Sequence, residues 1–322
     1  MAMSDNELNL QKNEISIVTS LYKSKPYVLD FYQRHLACIQ KMTISYEFIF
    51  VDDGSHDGVD EVVESIIKSD PNVTLISLSR NFGQHAAMFA GLEFAQGRVI
   101  YATDCDLEEA PENLVPMFQM LNDQPEVDVV YCVTRARSGN FVSKVFGDFF
   151  YTLFDYLSSV KIPRNQAWQR LMRRKYVQEL LRFREAESLP AGLMVLAGFN
   201  QAPYLIDRRF KGVSSYSIKK RVLLAVNSLI AFSSRPLAVI CGIGFSVTIV
   251  SILVIAVIVF RKLTSESYQV GWSSLIASIW CVGGLILTSV GVVGLYVAQI
   301  FSQVKERPKY IIKSISRANK SN

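Results

Sequence analysis

Two long stretches of this chain carry no charge at all: 25 residues between Arg235 and Arg261, and 38 between Glu266 and Lys305. A helix needs roughly 20 apolar residues to cross a bilayer. Each stretch is long enough, and the segment between them is short. Core helices of soluble proteins are rarely uncharged for so long, so the pattern predicts two transmembrane helices. Composition agrees: half of the 322 residues are hydrophobic and 20% are charged, against about 25% in soluble domains. Glycines at 283, 284, 291 and 294 include a small-xxx-small face suited to helix packing.

Lys and Arg counts set the expected orientation. Residues 305–322 contain six basic residues and one acid, a net +5 that equals the net charge of the whole chain. Lys219, Lys220, Arg221 and Arg235 precede the first stretch, whereas the connecting loop has only Arg261 and Lys262. Positive-inside reasoning puts residues 1–235 and the tail in the cytoplasm of a multi-pass inner-membrane protein. The polar N-terminus, MAMSDNELNLQKNE, has no signal-peptide core. The basic balance therefore reflects membrane topology, and no Lys/Arg patch with interleaved aromatics points to nucleic acid. Five scattered cysteines without CxxC spacing exclude a disulfide framework, and three histidines make a His-based metal site improbable.

The remainder alternates in a doubly wound manner. ISIVT (15–19), YEFIFV (46–51), VTLISLS (73–79), RVIYAT (98–103) and VDVVYCV (127–133) read as parallel strands. Helical patterns lie between them near 26–41, 57–69, 84–96 and 112–122. Ligands of such sheets bind beyond the carboxyl ends of the strands. Three of those ends are polar: Asp52-Asp53, Arg80-Asn81, and Asp104-Cys105-Asp106. Neither a GxGxxG nor a GxxxxGK[ST] run is present, which argues against a dinucleotide dehydrogenase and a P-loop NTPase. Asp104 and Asp106, followed by Glu108, form a hard-oxygen cluster suited to Mg²⁺ or Mn²⁺ bridging phosphates. Alone, such a DxD is also what an ordinary acidic turn looks like. Cys105 is expected to point away from the two carboxylates as a small buried filler.

VDDGSHD (51–57), SRNFGQHAAMFAGLEFAQG (79–97) and DCDLEEAPE (104–112), with RFKGVSSYS (209–217) and two C-terminal apolar segments, resemble the polyisoprenyl-phosphate glycosyltransferases of family 2. That group includes dolichol-phosphate mannose synthases and bacterial undecaprenyl-phosphate glycosyltransferases. The resemblance covers nearly the whole chain. It implies a GT-A fold, a Rossmann-like, mainly parallel sheet, followed by two transmembrane helices. The implied layout is a cytoplasmic catalytic domain over 1–216 and a juxtamembrane amphipathic helix over 217–235. Two spans over 236–304 and a basic tail over 305–322 complete it.

By the same resemblance, Tyr22, Asp52, Asp53 and Arg80 face the nucleotide half of the donor, with Asp104 on the diphosphate. Asp104, Asp106 and Glu108 match a metal site for Mg²⁺ or Mn²⁺. Arg135 matches an arginine facing the phosphates, and Arg209, Lys211 and Ser214 an acceptor-phosphate region; guanidinium forks and hydroxyls suit that chemistry. Asp104, Asp106 and Arg135 are the expected catalytic residues. The implied reaction transfers a sugar from a nucleotide sugar, a UDP-hexose such as UDP-glucose by analogy with bacterial relatives, to undecaprenyl phosphate with inversion. A homo-oligomer, a tetramer in the family, is also implied.

The chain departs from the family pattern in four places. The first-strand PxYNE is replaced around Ser20, Tyr22, Lys23 and Ser24, DxDLQ is DCDLE, and Ser215 stands where lysine is common. An acid ahead of an RL pair is Asn165, ahead of Arg170-Leu171. A lipid-linked oligosaccharide acceptor and a catalytically degenerate membrane scaffold therefore remain open alternatives. Residues 141–160 and 218–230 carry apolar side chains at helical spacing, read as core-facing or as interfacial helices lying in the headgroup region. His85 is expected to be a helix-start residue, and His35 and His56 surface positions.

Overall fold

The computed structural model describes residues 13–134, 163, 165–183, 190–206, 233, 235–264 and 271–318. They fall into two compact units: a sheet domain that includes residues 307–318, and a pair of long helices. In chain order the sheet domain runs β1 (Ile15–Leu21), α1 (Val28–Met42), β2 (Tyr46–Asp52), α2 (Val59–Ser69), β3 (Val73–Leu78), α3 (Gln84–Phe94) and β4 (Val99–Ala102). A 3₁₀ turn over Pro111–Asn113 leads into α4 (Leu114–Asp123). Then come β5 (Val129–Thr134), β6 (Gln166–Arg173), α5 (Arg174–Leu181), α6 (Pro190–Leu196) and β7 (Gln201–Ile206). The helix pair is α7 (Arg235–Thr264) and α8 (Trp272–Val304), after which β8 (Ile312–Arg317) rejoins the sheet.

The eight described strands are ordered β7-β5-β6-β4-β1-β2-β3-β8. β1 to β4 pair in parallel, as the alternating apolar runs predict. β6 inserts between β4 and β5, antiparallel to both, and β8 pairs antiparallel with β3. A mainly parallel sheet needs both faces covered. On one face Ile15, Ile17, Phe48, Phe50, Val99 and Tyr101 pack with Phe31, Ile39, Val63 and Leu114 of the helices. On the other, α3 lies so close that a Cβ on Gly91 would come 2.4 Å from Val18 Cγ1; only glycine allows that approach.

Two features differ from expectation. Residues 312–317, read from sequence as part of a charged tail, form an edge strand; its Ile315 meets Ile76 in register. His35 is 1% exposed rather than on the surface. Its Nδ1 donates to Phe31 O at 2.8 Å, and its ring lies 5.8 Å from that of Tyr101. Burial pushes its pKa down to about 4. Cys105 is buried in the core as expected.

In the helix pair, Arg235–Val254 and Ser278–Val304 are long and apolar enough to cross a membrane. Their apolar side chains, including Phe245, Trp280 and Leu287, face outward. Hydroxyls within the apolar stretches bond their own helices: Ser246 to Gly242 O, Ser251 to Val247 O and Thr288 to Gly284 O, each at 2.8 Å. That leaves no unsatisfied hydroxyl at these positions to meet hydrocarbon. The segments 141–160 and 218–230 lie outside the described residues.

Candidate active site

Loops leaving the carboxyl ends of β1, β2, β3 and β4 meet at one end of the sheet, the end at which doubly wound sheets bind their ligands. The β2 loop organises its neighbours. Asp52 Oδ1 accepts from Ser55 N at 2.9 Å, a turn that returns the chain toward α2. Ser55 Oγ accepts from Lys23 N at 3.0 Å and donates to Asp57 Oδ1 at 2.5 Å. Asp57 Oδ2 accepts from Lys25 N at 3.0 Å. The β1 loop is thereby fastened to the β2 loop. A cavity of about 500 Å³ lies there, lined by Tyr22, Lys23, Lys25, Pro26, His56 and Asp57. Tyr22 is half exposed at its rim, with Lys23 Nζ 5.6 Å from its ring centroid. A second cavity, about 470 Å³ with Asn13, Glu47 and Arg317 in its lining, sits at the amino ends of the strands, away from the DCD run.

Asp53 has a different task. Its side chain is 1% exposed; Oδ1 accepts from Phe82 N at 2.7 Å and Oδ2 from Gly83 N at 2.9 Å. Burial raises its pKa, against the two amide bonds and nearby Arg80, which lower it. In this structure Asp53 is a clamp on the NFG turn. Gly54 completes the junction: at φ 65° it passes so close to Arg80 that a Cβ would lie 2.6 Å from its carbonyl carbon. Asp52 is 7% exposed, its pKa raised by burial and by Asp60, Asp57 and Asp53. Arg80 is exposed, its guanidinium 4.1 Å from the Phe82 ring centroid.

The clamped turn leads into α3, whose first residue reaches the DCD run: Gln84 Nε2 donates to Asp104 Oδ1 at 2.6 Å. His85, at the helix start as expected, has its ring centroid 5.1 Å from that of Trp168. Asp106 Oδ1 accepts from Glu108 N at 3.1 Å, across Leu107 in a left-handed turn of φ 60°. Asp104, Asp106 and Glu108 are all partly exposed. Among the described residues no three His, Cys, Asp or Glu side chains form a metal-sized group. The partly exposed Asp104 and Asp106 carboxylates are a donor set that fits Mg²⁺ or Mn²⁺, hard ions held by one or two carboxylates together with substrate phosphates.

Asn165 sits in a left-handed turn (φ 58°) before β6, its carbonyl accepting from Thr134 N and Oγ1. Arg135, Arg209, Lys211, Ser214 and Ser215 lie outside the described residues. Sequence reasoning missed Gln84, Ser55 and Asp57, although all three fall within the runs VDDGSHD and SRNFGQHAAMFAGLEFAQG. Trp168 carried no sequence signal.

A family model described as "Glycosyl transferase family 2" matches residues 16–181, slightly more than half of the chain. The chain belongs to glycosyl transferase family 2. The glycosyltransferase is 33% identical over 311 residues to YkcC of Bacillus subtilis, described as an uncharacterized glycosyltransferase, covering 95% of this chain and 96% of that one. It is 30% identical over 308 residues to the SfII prophage-derived bactoprenol glucosyl transferase of Shigella flexneri, covering 95% and 99%. Mannosyl-3-phosphoglycerate synthase from Rubrobacter xylanophilus aligns over 70% of this chain and 74% of its own. The TM-score is 0.49 at 18% identity, too distant to add to the family assignment.

Proposed function

We propose that this glycosyltransferase moves a sugar from a nucleotide sugar to a polyisoprenyl phosphate at the cytoplasmic face of a membrane. The observation that carries the reading is similarity along almost the whole length of a bactoprenol glucosyl transferase, through both apolar helices. Orientation is supported by connectivity. The sheet domain precedes α7, and β8, after α8, pairs with β3 of the same domain. A chain whose two flanks share one sheet crosses a bilayer an even number of times. Lys305, Arg307 and Lys309 directly after α8 support a cytoplasmic position for that side.

The chemistry is an in-line displacement at the anomeric carbon. The nucleophile is an oxygen of the acceptor phosphate, largely ionised near pH 7 because its second pKa is about 6. It needs positioning more than deprotonation. A bond forms from phosphate oxygen to carbon, the bond to the nucleoside diphosphate breaks, and the configuration inverts. The cavity beside Tyr22 and His56 is the place for the base. Asp104 and Asp106 would hold a divalent cation, which would supply positive charge to the diphosphate. Gln84 fixes the Asp104 carboxylate, and Asp53 fixes the turn that carries Gln84. Arg135, Arg209, Lys211 and Ser214 are assigned to the phosphates by family resemblance. Asp104→Asn tests the assignment: transfer is expected to fall by at least a hundredfold with the fold intact, and unchanged turnover refutes it.

A further inference from the structure

β6 turns alternate residues to opposite faces of the sheet. Ala167 and Leu171 join the apolar core, and Gln169, on the same face, is bonded on both sides. It accepts from Asn113 Nδ2 at 2.8 Å and donates to Ala110 O at 3.2 Å. Gln166, Trp168 and Arg170 share the other face, where the donors are not satisfied. Arg170 is 2% exposed. Its Nη2 donates to Gln166 Oε1, and its guanidinium carbon lies 5.5 Å from the Tyr131 ring centroid. Its Nε is buried with no acceptor, and Nε1 of Trp168 is in the same condition. Among the described residues no carboxylate pairs with Arg170. A buried guanidinium without a counter-charge is costly to keep, and each buried N–H without an acceptor adds its own desolvation cost.

Register gives the position of these groups. Arg170 is opposite Ala102, the last residue of β4. The Arg170 head reaches back to Gln166, which pairs with Val133 at the carboxyl end of β5. Gln84, bonded to Asp104, is followed by His85, whose ring meets that of Trp168. The unsatisfied donors thus sit at the strand ends that form the candidate active site, on the side of the DCD run away from the Tyr22 cavity.

We propose that Trp168 and Arg170 form a phosphate subsite, the guanidinium supplying charge and both N–H groups taking phosphate oxygens. A cation that no carboxylate pairs with among the described residues, next to a neutral donor, selects an anion and has no use for a metal. The inference rests on the proposed function, in which both substrates carry phosphate: the diphosphate of the donor and the monoester of the acceptor. Both donors are closed to solvent, so an entering phosphate has to part the side chains around them, the His85 ring included.

The test uses the full-length protein in detergent, with Trp168→Phe, which keeps a ring and removes one N–H, and Arg170→Met, which keeps length and removes the charge. Inorganic phosphate, against chloride at equal ionic strength, is expected to raise the unfolding temperature of the wild type. The rise should be smaller in Trp168→Phe and absent in Arg170→Met. No rise in the wild type, or an equal rise in all three, overturns the subsite. If Arg170→Met does not fold, Trp168→Phe decides. Titration with UDP or GDP and with undecaprenyl phosphate separates the sources. At least fivefold weaker binding of the nucleotide by Trp168→Phe, with uridine or guanosine binding unchanged, assigns the subsite to the donor. The same loss confined to undecaprenyl phosphate assigns it to the acceptor. Unchanged binding of both by Trp168→Phe and Arg170→Met makes the two residues structural and overturns the proposal. Failure of the wild type to transfer sugar to any polyisoprenyl phosphate overturns the functional reading instead, and the inorganic phosphate result stands apart from it.

Discussion

Asp53→Asn separates the two roles open to a buried carboxylate beside a nucleotide site. In the wild type each oxygen accepts a backbone N–H, from Phe82 at 2.7 Å and from Gly83 at 2.9 Å. An asparagine keeps one acceptor and turns its NH₂ toward the other amide, so one bond is lost outright and the other becomes neutral. Hydrogen bonds to charged groups contribute about 1.5–3 kcal/mol. Part of that loss is offset, because burial already disfavours the Asp53 charge. A net loss of about 2 kcal/mol is expected, or roughly 4–8 °C in unfolding temperature for a domain of this size. Hydrogen exchange at Phe82 and Gly83 should rise, and nucleotide affinity should fall only as far as the loosened turn displaces Gln84 from Asp104. Unchanged stability and exchange, with nucleotide affinity down tenfold or more, would refute the clamp and make Asp53 a direct ligand contact.

Three further outcomes follow from other parts of the structure. His35 is neutral in the fold down to about pH 4, against an ordinary value of 6.5. Its contribution is therefore complete above pH 6.5 and is lost as pH falls toward 4, by about 3 kcal/mol at 1.36 kcal/mol per unit; His35→Leu should flatten that acid limb in denaturant titrations, and an unchanged limb contradicts the burial argument. Ending the chain after Glu306 removes β8 and its five cross-strand pairs with β3. At about 1 kcal/mol per hydrogen bond this should cost the sheet domain several kcal/mol, and an unfolding temperature equal to the full chain's would make the strand dispensable. Gln84→Ala should raise the Mg²⁺ or Mn²⁺ concentration for half-maximal transfer about three- to tenfold through the lost bond to a charged oxygen, while an unaltered metal titration removes Gln84 from the site.

The part of the fold that was legible is the part governed by local pattern. β1 to β5 alternate or run apolar, α1, α2 and α4 carry their apolar residues at helical spacing, and α3 buries a continuous run, Ala87 to Leu92, so their limits came within a few residues. His35 was misjudged although Val28, Phe31, Tyr32, His35, Cys38 and Ile39 form one buried stripe of α1; the period placed it inside, and its polarity alone argued otherwise. β6, with the sequence QAWQRLMR, and β8, with IKSISR, look polar or basic and do not alternate cleanly. They become strands only because strands built from distant residues pair with them, β4 and β5 flanking β6 and β3 flanking β8, which no local signal reports. In the site, the DCD run was visible as chemistry. The Ser55–Asp57–Lys25 and Asp53–Phe82–Gly83 connections were not, because they arise where separate loops meet. The unsatisfied donors of Trp168 and Arg170 depend on burial and could be found only in three dimensions.

The central claim is tested most directly by sugar transfer with the purified full-length protein in detergent. Labelled UDP- and GDP-sugars would be offered with undecaprenyl phosphate and Mg²⁺ or Mn²⁺. The account predicts a chloroform-soluble, mild-acid-labile product from one donor, formed only with the lipid phosphate present and lost with EDTA and in Asp104→Asn. A protein that binds the nucleotide sugar yet yields no lipid product from any donor contradicts it and points to a different membrane acceptor.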